Sequence, residues 1–229
     1  MHLDDRLQAL ADFVPEGSRA ADIGTDHGYL AVALIQQGKS SFVVAGDKNR
    51  GPYEAARRTV RENVLEEEQV SVRLGDGLAV LQPGEVDTVC IAGMGGVLMT
   101  AILESSPSIT AELKTLILQP MNGAMELRGW LYDHAWHIVD ESLVIDDGRI
   151  YEIIKAERGS RKKPSGLDLL VGPKLWRKKP PLLKHHIEAL LFQQRRILNG
   201  MEKSDRAKGD KRFGQVKRRV KALEERLKW

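Results

Sequence analysis

Residues 21–30, Ala-Asp-Ile-Gly-Thr-Asp-His-Gly-Tyr-Leu, place two acids and two glycines directly after an apolar run. Gly24 can adopt the positive φ that a side chain opposes, and Gly28 lets a ligand or a helix approach the backbone closely. The pattern predicts the end of a first strand, a tight turn and the start of a first helix, whose free N–H groups face the turn. Open α/β sheets bind ligands at such turns.

Two cofactor classes use a turn of this kind. Dinucleotide enzymes bring a G-x-G-x-x-G backbone against a pyrophosphate, whereas this chain has Gly24-x-x-x-Gly28 with Asp26 between the glycines. A carboxylate repels a pyrophosphate but attracts a cationic amino or sulfonium group. The segment therefore favours S-adenosylmethionine over NAD, and a strand–helix turn without any ligand is the alternative.

Length and composition limit the possible classes of protein. A chain of 229 residues, 42% of them hydrophobic, can form one large domain and a smaller one, each with a core. Its apolar runs are too short to cross a bilayer and no signal-peptide pattern is present, so we expect a cytoplasmic protein without a membrane partner. The single cysteine, Cys90, excludes an internal disulfide and is expected to be a small buried residue. No Cys/His cluster has zinc spacing, so no metal is expected.

Charge is distributed unevenly along the chain. Residues 1–159 hold 14 Lys+Arg against 25 Asp+Glu, a net −11, and residues 160–229 hold 21 against 7, a net +14. We predict a cofactor-binding domain over residues 1–159 and a basic helical domain over residues 160–229. Such a basic module suggests a polyanionic partner. A solvated, lysine-rich helical face is the alternative.

Alternating apolar segments and helical patterns predict an α/β fold. Five strand–helix units are followed by two alternating segments around Asp146-Asp147-Gly148, which indicate an antiparallel hairpin. The predicted strands are residues 19–23, 41–45, 70–74, 86–92 and 113–118, and the hairpin strands are 136–144 and 149–156. Together they match a seven-stranded, doubly wound sheet, which is typical of S-adenosylmethionine-dependent methyltransferases.

Polar or glycine-rich residues follow three of these strands. Asp47 follows the second strand and is suitably placed to hold a ribose diol. Asp76, between two glycines after the third strand, suits an adenine amino group or a backbone contact. Gly93-Met94-Gly95-Gly96 after the fourth strand leaves room for a flat substrate. For each of the three segments, a simple turn is the alternative.

The last third of the chain predicts an antiparallel pair of helices. Pro180-Pro181 opens one helix, which runs to about Asn199, and residues 203–210 form a polar turn. Apolar residues then recur at spacings of three and four from Phe213 to Leu227, the pattern of a coiled-coil seam. Basic residues decorate both helices: Arg195, Arg196, Lys211, Arg212, Lys217, Arg218, Arg219 and Lys221.

Several of these motifs together resemble one family. The segment 21–30, Gly75-Asp76-Gly77-Leu78, Ile91-Ala92-Gly93-Met94-Gly95-Gly96 and Leu116-Ile117-Leu118-Gln119-Pro120 are similar to those of the bacterial tRNA (adenine-22-N1)-methyltransferases. The resemblance covers nearly the whole chain. It implies a Rossmann-like class I S-adenosylmethionine-dependent domain, a C-terminal coiled coil, tRNA as partner and methylation of N1 of adenine 22 in the D-arm. Asp47 stands where similar proteins often have Glu, and Met121 separates Pro120 from Asn122.

Site residues are assigned on this basis. The predicted cofactor-binding residues are Asp22, Gly24, Thr25, Asp26, His27, Gly28, Asp47, Lys48, Asp76, Gly77, Ala92, Gly93 and Met94. The predicted substrate-binding residues are Tyr29, Gly95, Pro120, Asn122, Arg195, Arg196, Arg218 and Arg219.

The proposed chemistry is in-line attack of adenine N1 on the sulfonium methyl group, which needs no base because N1 already holds a lone pair. A carboxylate or amide oxygen would stabilise the positive charge that develops on the ring, and Asp26 and Gln119 are the catalytic candidates. Asp26 as a helix cap or cofactor ligand is the alternative. His27 or Tyr29 could stack on a flipped base, or could simply pack.

Other functions stay open on the sequence. They are a methyltransferase acting on another nucleic-acid base or a small molecule, and a non-catalytic RNA-binding module. A dehydrogenase is disfavoured by the missing third glycine and by Asp26. The sequence does not fix the oligomeric state, and a monomer is the working expectation.

Overall fold

The computed structural model describes residues 2–229, apart from the side chains of residues 205 and 208. The chain divides into two compact units, of which the first ends at Lys163 and the second comprises Pro164–Trp229. The division of roles between a cofactor domain and a basic domain stays a prediction.

The first unit contains a seven-stranded sheet in the order β3-β2-β1-β4-β5-β7-β6. Strands β1 to β5 are parallel to one another, and β7 lies antiparallel between β5 and β6. This confirms the predicted α/β class and doubly wound sheet. The strands are β1 (Ser18–Ile23), β2 (Ser40–Asp47), β3 (Val70–Leu74), β4 (Thr88–Gly95), β5 (Thr115–Asn122), β6 (Trp136–Asp146) and β7 (Arg149–Arg158).

Helices of the first unit cover both faces of this sheet. They are α1 (Asp5–Phe13), α2 (Tyr29–Gln36), α3 (Arg50–Glu62), α4 (Gly96–Glu104), α5 (Pro107–Glu112) and α6 (Ala124–Asp133). Two apolar clusters result, one containing Met99 and Leu131 and the other containing Leu10 and Leu34. Central strands buried on both faces must be apolar throughout, which explains the continuous apolar run of β4. Cys90, in β4, is buried, and burial raises the pKa of its thiol.

Three of the five parallel strands extend further at their carboxyl ends than the sequence predicts, and both hairpin strands end two residues later than predicted. Asp47 lies within β2, residues 93–95 lie within β4, and residues 119–122 lie within β5. Strand β4 pairs with β5 as far as Gly95 and Asn122, with two register irregularities on the way. Pairing between neighbouring strands thus overrides the low intrinsic strand preference of glycine and proline. The 3₁₀ turn Gly77–Val80 and helix α5 are absent from the sequence prediction.

The regular elements described in the second unit are all helices. It contains α7 (Gly166–Val171), α8 (Pro173–Lys178), α9 (Leu183–Glu202), α10 (Asp205–Lys208) and α11 (Lys211–Arg226). Helices α9 and α11 lie side by side and antiparallel, and an ion pair of 2.6 Å joins Arg195 Nη2 to Glu224 Oε1. Val216, Val220 and Leu223 are buried, as the apolar spacing predicts. A regular coiled-coil seam stays a prediction.

No helix within the described part of the chain is long and apolar enough to span a bilayer.

Candidate functional site

The turn after β1 is fixed by its hydrogen bonds to β2. Gly24 has φ 76°, and the N–H groups of Gly24 and Thr25 both donate to the carbonyl oxygen of Gly46, at 2.8 and 3.1 Å. Gly28, with φ 74°, precedes α2, and a Cβ at this position would lie 3.1 Å from both Cα and Cβ of Ala56. Gly28 is therefore required for the close approach of α2 to α3.

Asp22 is a buried acid at the end of β1. Its Oδ2 accepts a hydrogen bond of 2.6 Å from the Thr25 hydroxyl. Burial raises the pKa of Asp22 to about 6, the Thr25 hydrogen bond opposes this shift, and the nearby Asp47 carboxyl reinforces it. A cation bound beside Asp22 would favour its ionised form and lower this pKa.

A cavity of about 370 Å³ opens at the carboxyl ends of β1, β2 and β4. Four aspartates contribute to its wall, Asp4, Asp22, Asp26 and Asp47, and one arginine joins them, Arg6. The other lining residues are Leu7, Gly24, Thr25, His27, Tyr29, Leu30, Ala92, Gly93 and Met94. Carboxyl groups in this number favour a cationic ligand over a pyrophosphate.

A second cavity of about 90 Å³ adjoins the first and shares Gly24, Asp47 and Met94 with it. Met94 lies across the glycine turn, because a Cβ built on Gly24 would come within 2.1 Å of its Cε. The other lining residues of the second cavity are Ile23, Gly46, Lys48, Asn49, Gly75, Asp76, Gly77, Leu98 and Ile102.

The acids of the second cavity suit the sugar and base of a nucleoside. Asp47 is buried, and its Oδ1 accepts a 2.8 Å hydrogen bond from the Asn49 N–H. Asp76 is exposed and lines the same cavity, and the roles of both acids in binding a nucleoside stay predictions. Apolar Leu98 and Ile102 supply flat surface for a ring.

The glycines after β4 do not all serve the same purpose. A Cβ at Gly93, where φ is 73°, would meet open space. At Gly95 it would lie 3.0 Å from Asn122 Oδ1, and at Gly96 it would lie 2.5 Å from the Gly123 carbonyl oxygen. Space is therefore open beside Gly93, whereas Gly96 packs too closely against the backbone of Gly123 to carry a side chain, and Gly95 lies close to the Asn122 side chain.

The two catalytic candidates lie in different surroundings. Gln119 is fully buried, and its Oε1 accepts hydrogen bonds from the Gly93 N–H at 3.1 Å and from Arg6 Nη1 at 3.2 Å. The Asp26 side chain is 71% exposed, and its Oδ1 lies 3.6 Å from His27 Nε2. Asp26 can thus meet a substrate directly, whereas the Gln119 oxygen already has two donors.

The predicted substrate-binding residues of the first unit also differ in access. Pro120 is buried and Asn122 is exposed. The rings of His27 and Tyr29 are stacked, with centroids 5.3 Å apart and an interplanar angle of 14°. Both rings line the larger cavity, so they form a ready aromatic surface beside Asp26.

Arg6 was not predicted from the sequence as a site residue. It lies on α1 one turn before the buried Leu10, so its guanidinium follows the apolar face of the helix into the cavity. The sequence does contain a signal, because a cation interrupts the otherwise apolar spacing of Leu3, Leu7 and Leu10.

The second unit carries the four predicted arginines on its two long helices. Arg195, Arg196 and Arg218 are exposed, and Arg219 is half-buried. Arg195 is already paired with Glu224, so part of its role is to join the helices. Among the residues that the structure describes, no group of three or more His, Cys, Asp or Glu side chains could hold a metal ion.

Comparison with known proteins gives consistent matches. The profile of the family "TrmK: tRNA (adenine(22)-N(1))-methyltransferase" matches residues 20–225. The Bacillus subtilis tRNA (adenine(22)-N(1))-methyltransferase is 40% identical over 184 residues, which are 78% of this chain and 77% of that protein.

Solved structures match over almost the whole chain. The B. subtilis M1A22 tRNA methyltransferase TrmK has a TM-score of 0.82 at 34% identity, covering 99% of this chain and 96% of that one. Streptococcus pneumoniae Sp1610 in complex with S-adenosyl-L-methionine has a TM-score of 0.83 at 32% identity, covering 99% and 100%. The Rossmann-like methyltransferase fold is therefore confirmed, and the chain belongs to the tRNA (adenine(22)-N(1))-methyltransferase family.

Proposed function

We propose that this protein transfers a methyl group from S-adenosylmethionine to N1 of adenine 22 in the D-arm of tRNA. The observation that carries the proposal is the carboxyl-lined cavity at the ends of β1, β2 and β4, in a chain of this family. The substrate is inferred from the B. subtilis relative, a tRNA (adenine(22)-N(1))-methyltransferase. The cofactor is inferred from the S. pneumoniae protein, whose structure contains S-adenosyl-L-methionine.

The residues of the two cavities fit this cofactor. Buried Asp47 would hold the ribose, and Asp76 and Gly77 would meet the adenine. Asp22 would attract the amino group of the cofactor. The turns at Gly24 and Gly93 would leave room for its amino-acid part. When bound, S-adenosylmethionine supplies a methyl group already activated by the positive sulfur.

We assign to Asp26 the stabilisation of the adenine ring while it is methylated. Adenine N1 holds an unshared electron pair near neutral pH, so no residue has to remove a proton before attack. Methylation places positive charge on the ring, and the exposed Asp26 carboxyl can stabilise that charge as it develops. Gln119, whose oxygen is bound to Arg6 and Gly93, would support the site by fixing the Gly93 turn.

The target base must leave its pairing or stacking partners because N1 lies on the Watson–Crick edge. The stacked rings of His27 and Tyr29 offer a surface for the exposed base. The second unit would hold the tRNA body through phosphate contacts, since structured RNA is recognised mainly by shape and backbone.

The proposed function is tested by incubating the protein with unmodified tRNA and isotopically labelled S-adenosylmethionine. We expect 1-methyladenosine on mass spectrometry of the nucleosides, and none in a matched tRNA with guanosine at position 22. Label in a different nucleoside, or in free adenosine, would support another methyltransferase. Cofactor binding without any transfer would support the non-catalytic RNA-binding module.

The role of Asp26 is tested by Asp26→Asn, which keeps the shape and removes the charge. We expect kcat to fall about 10- to 100-fold, as for other residues that stabilise transition-state charge. Affinity for S-adenosylhomocysteine, measured by calorimetry, should change less than about 2-fold. Asp5→Asn, on the exposed part of α1, is the matched control. Equal losses in kcat and in affinity would reassign Asp26 to cofactor binding.

A further inference from the structure

Arg6 has hydrogen-bonding capacity that its neighbours do not use. Its side chain is 23% exposed, and Nη1 donates to Gln119 Oε1 at 3.2 Å. The carboxyl oxygens of Asp4 and Asp146 lie 3.9 Å from Nη2 and Nε, beyond hydrogen-bonding distance. A guanidinium has five N–H donors in a rigid fork. Part of this fork is therefore available to a ligand in the cavity.

The charges of the larger cavity are strongly unequal. Its described lining includes four aspartates, and Arg6 is the only lysine or arginine among the described lining residues. S-adenosylmethionine carries a sulfonium and an amino group, which match the aspartates, and also a carboxylate, which they repel. In such a cavity a carboxylate can bind at low free-energy cost only next to a positively charged side chain, which here is Arg6.

The position of Arg6 agrees with the direction in which S-adenosylmethionine would lie across the two cavities. Asp47 and Asp76 mark the nucleoside end in the smaller cavity, and Arg6 contributes only to the larger one. Through Gln119 the guanidinium is connected to the Gly93 N–H at the end of β4. The amino-acid part of the cofactor would therefore extend from Asp22 towards Arg6.

We propose that Arg6 binds the carboxylate of the methionine part of S-adenosylmethionine, an inference that rests on the proposed function. Arginine and carboxylate match in geometry and form charge-assisted hydrogen bonds, the strongest class in proteins. A competing role is purely structural, in which Arg6 only fixes Gln119 and the end of β5.

Calorimetry with two ligands separates these roles. S-adenosylhomocysteine contains the carboxylate, and 5′-methylthioadenosine lacks the whole amino-acid part. We expect Arg6→Met to weaken S-adenosylhomocysteine about 10- to 100-fold, the loss of a charge-assisted pair. Affinity for 5′-methylthioadenosine should change less than about 2-fold. Arg58→Met, on the exposed face of α3, is the matched control and should leave both affinities unchanged.

Two further measurements use the full chain: one tests the variant Arg6→Lys, and the other tests decarboxylated S-adenosylhomocysteine as the ligand. Lysine should recover part of the affinity for S-adenosylhomocysteine, and the decarboxylated ligand should bind wild type and both variants alike. Equal weakening of every ligand, or no weakening at all, would overturn the proposal. If Arg6→Met does not fold, as judged by thermal unfolding, Arg6→Lys with the two nucleosides decides the question. Wild-type protein that binds no S-adenosylhomocysteine would instead contradict the proposed function.

Discussion

The two units of this protein use charge in opposite ways. The first unit is acidic and buries charged groups: Arg128 and Glu141 are fully buried and joined at 2.7 Å, and Glu152 pairs with the same guanidinium. The second unit is basic and carries most of its charged side chains at the surface, as in the exposed pair of Arg195 and Glu224, and its pair of Arg226 and Asp168 is partly buried. A buried ion has lost its water and depends on its partner, whereas an exposed ion depends mainly on water and salt.

This difference matches the tasks proposed for the two units. A small cationic ligand is bound by fixed carboxyl groups in a partly buried cavity, where the effective dielectric constant is low. A folded RNA presents regularly spaced phosphates, and an array of exposed arginines and lysines can neutralise many of them without a shaped pocket. The first unit thus depends on exact placement of a few charges, and the second on their number and sign.

Removal of a buried charge partner is expected to have the largest effect on stability. Arg128→Met would remove the buried guanidinium that pairs with Glu141 and Glu152 and lower the free energy of unfolding by about 3–5 kcal/mol. Arg195→Met, which breaks an exposed pair, should cost no more than about 1 kcal/mol. Urea unfolding of both variants provides the measurement. Similar losses in the two variants would remove the distinction between the units.

Loss of positive charge from the second unit is expected to weaken RNA binding. The triple replacement of Arg196, Arg218 and Arg219 by Gln should lower tRNA affinity about 10- to 100-fold at low salt and reduce the salt dependence. Affinity for S-adenosylhomocysteine should stay unchanged. Filter binding across a range of salt concentrations measures the first effect, and calorimetry measures the second.

The control for this triple variant removes the same charge from the first unit. Arg58, Lys114 and Arg149 are exposed there, and their replacement by Gln should change tRNA affinity much less. An equal loss in the control would mean that net charge, rather than the helical surface of the second unit, attracts the RNA.

The smallest expected effect is the pH dependence of cofactor binding. Burial raises the pKa of Asp22 to about 6. Because this pKa exceeds that of an unfolded aspartate, the cofactor-free protein loses stability as pH rises from about 4 to about 6. The ammonium group of the ligand favours ionised Asp22, so the affinity for the ligand should rise as the pH rises. S-adenosylhomocysteine should bind about 10-fold more weakly at pH 5 than at pH 7.5.

Two variants identify the group responsible for this dependence. Asp22→Asn should bind more weakly at pH 7.5 and lose most of the pH dependence. His27→Gln is the control, because an imidazole in the same cavity is the competing source of a pH dependence. If the dependence disappears in His27→Gln and persists in Asp22→Asn, the assignment to Asp22 is wrong.

Local patterns in the sequence were sufficient for much of the fold. The turn at Gly24 and Gly28 was predicted because glycine alone adopts those φ values without strain. The sheet was predicted because apolar runs and helical spacing report which faces are buried. The ends of β2, β4 and β5 were misplaced, since pairing with neighbouring strands continued through glycine and proline.

By itself, the sequence determined the order of strands and helices, the glycine turn, the acid at the end of β2, and the contrast between an acidic and a basic region. These features follow from residue type and short-range spacing. Only the tertiary structure decided that Arg6 would meet Gln119, which lies 113 residues away, that Met94 would cross Gly24, and that Arg128 would join two glutamates. Such contacts depend on how elements pack in space, and no local periodicity encodes which side chains then share a cavity.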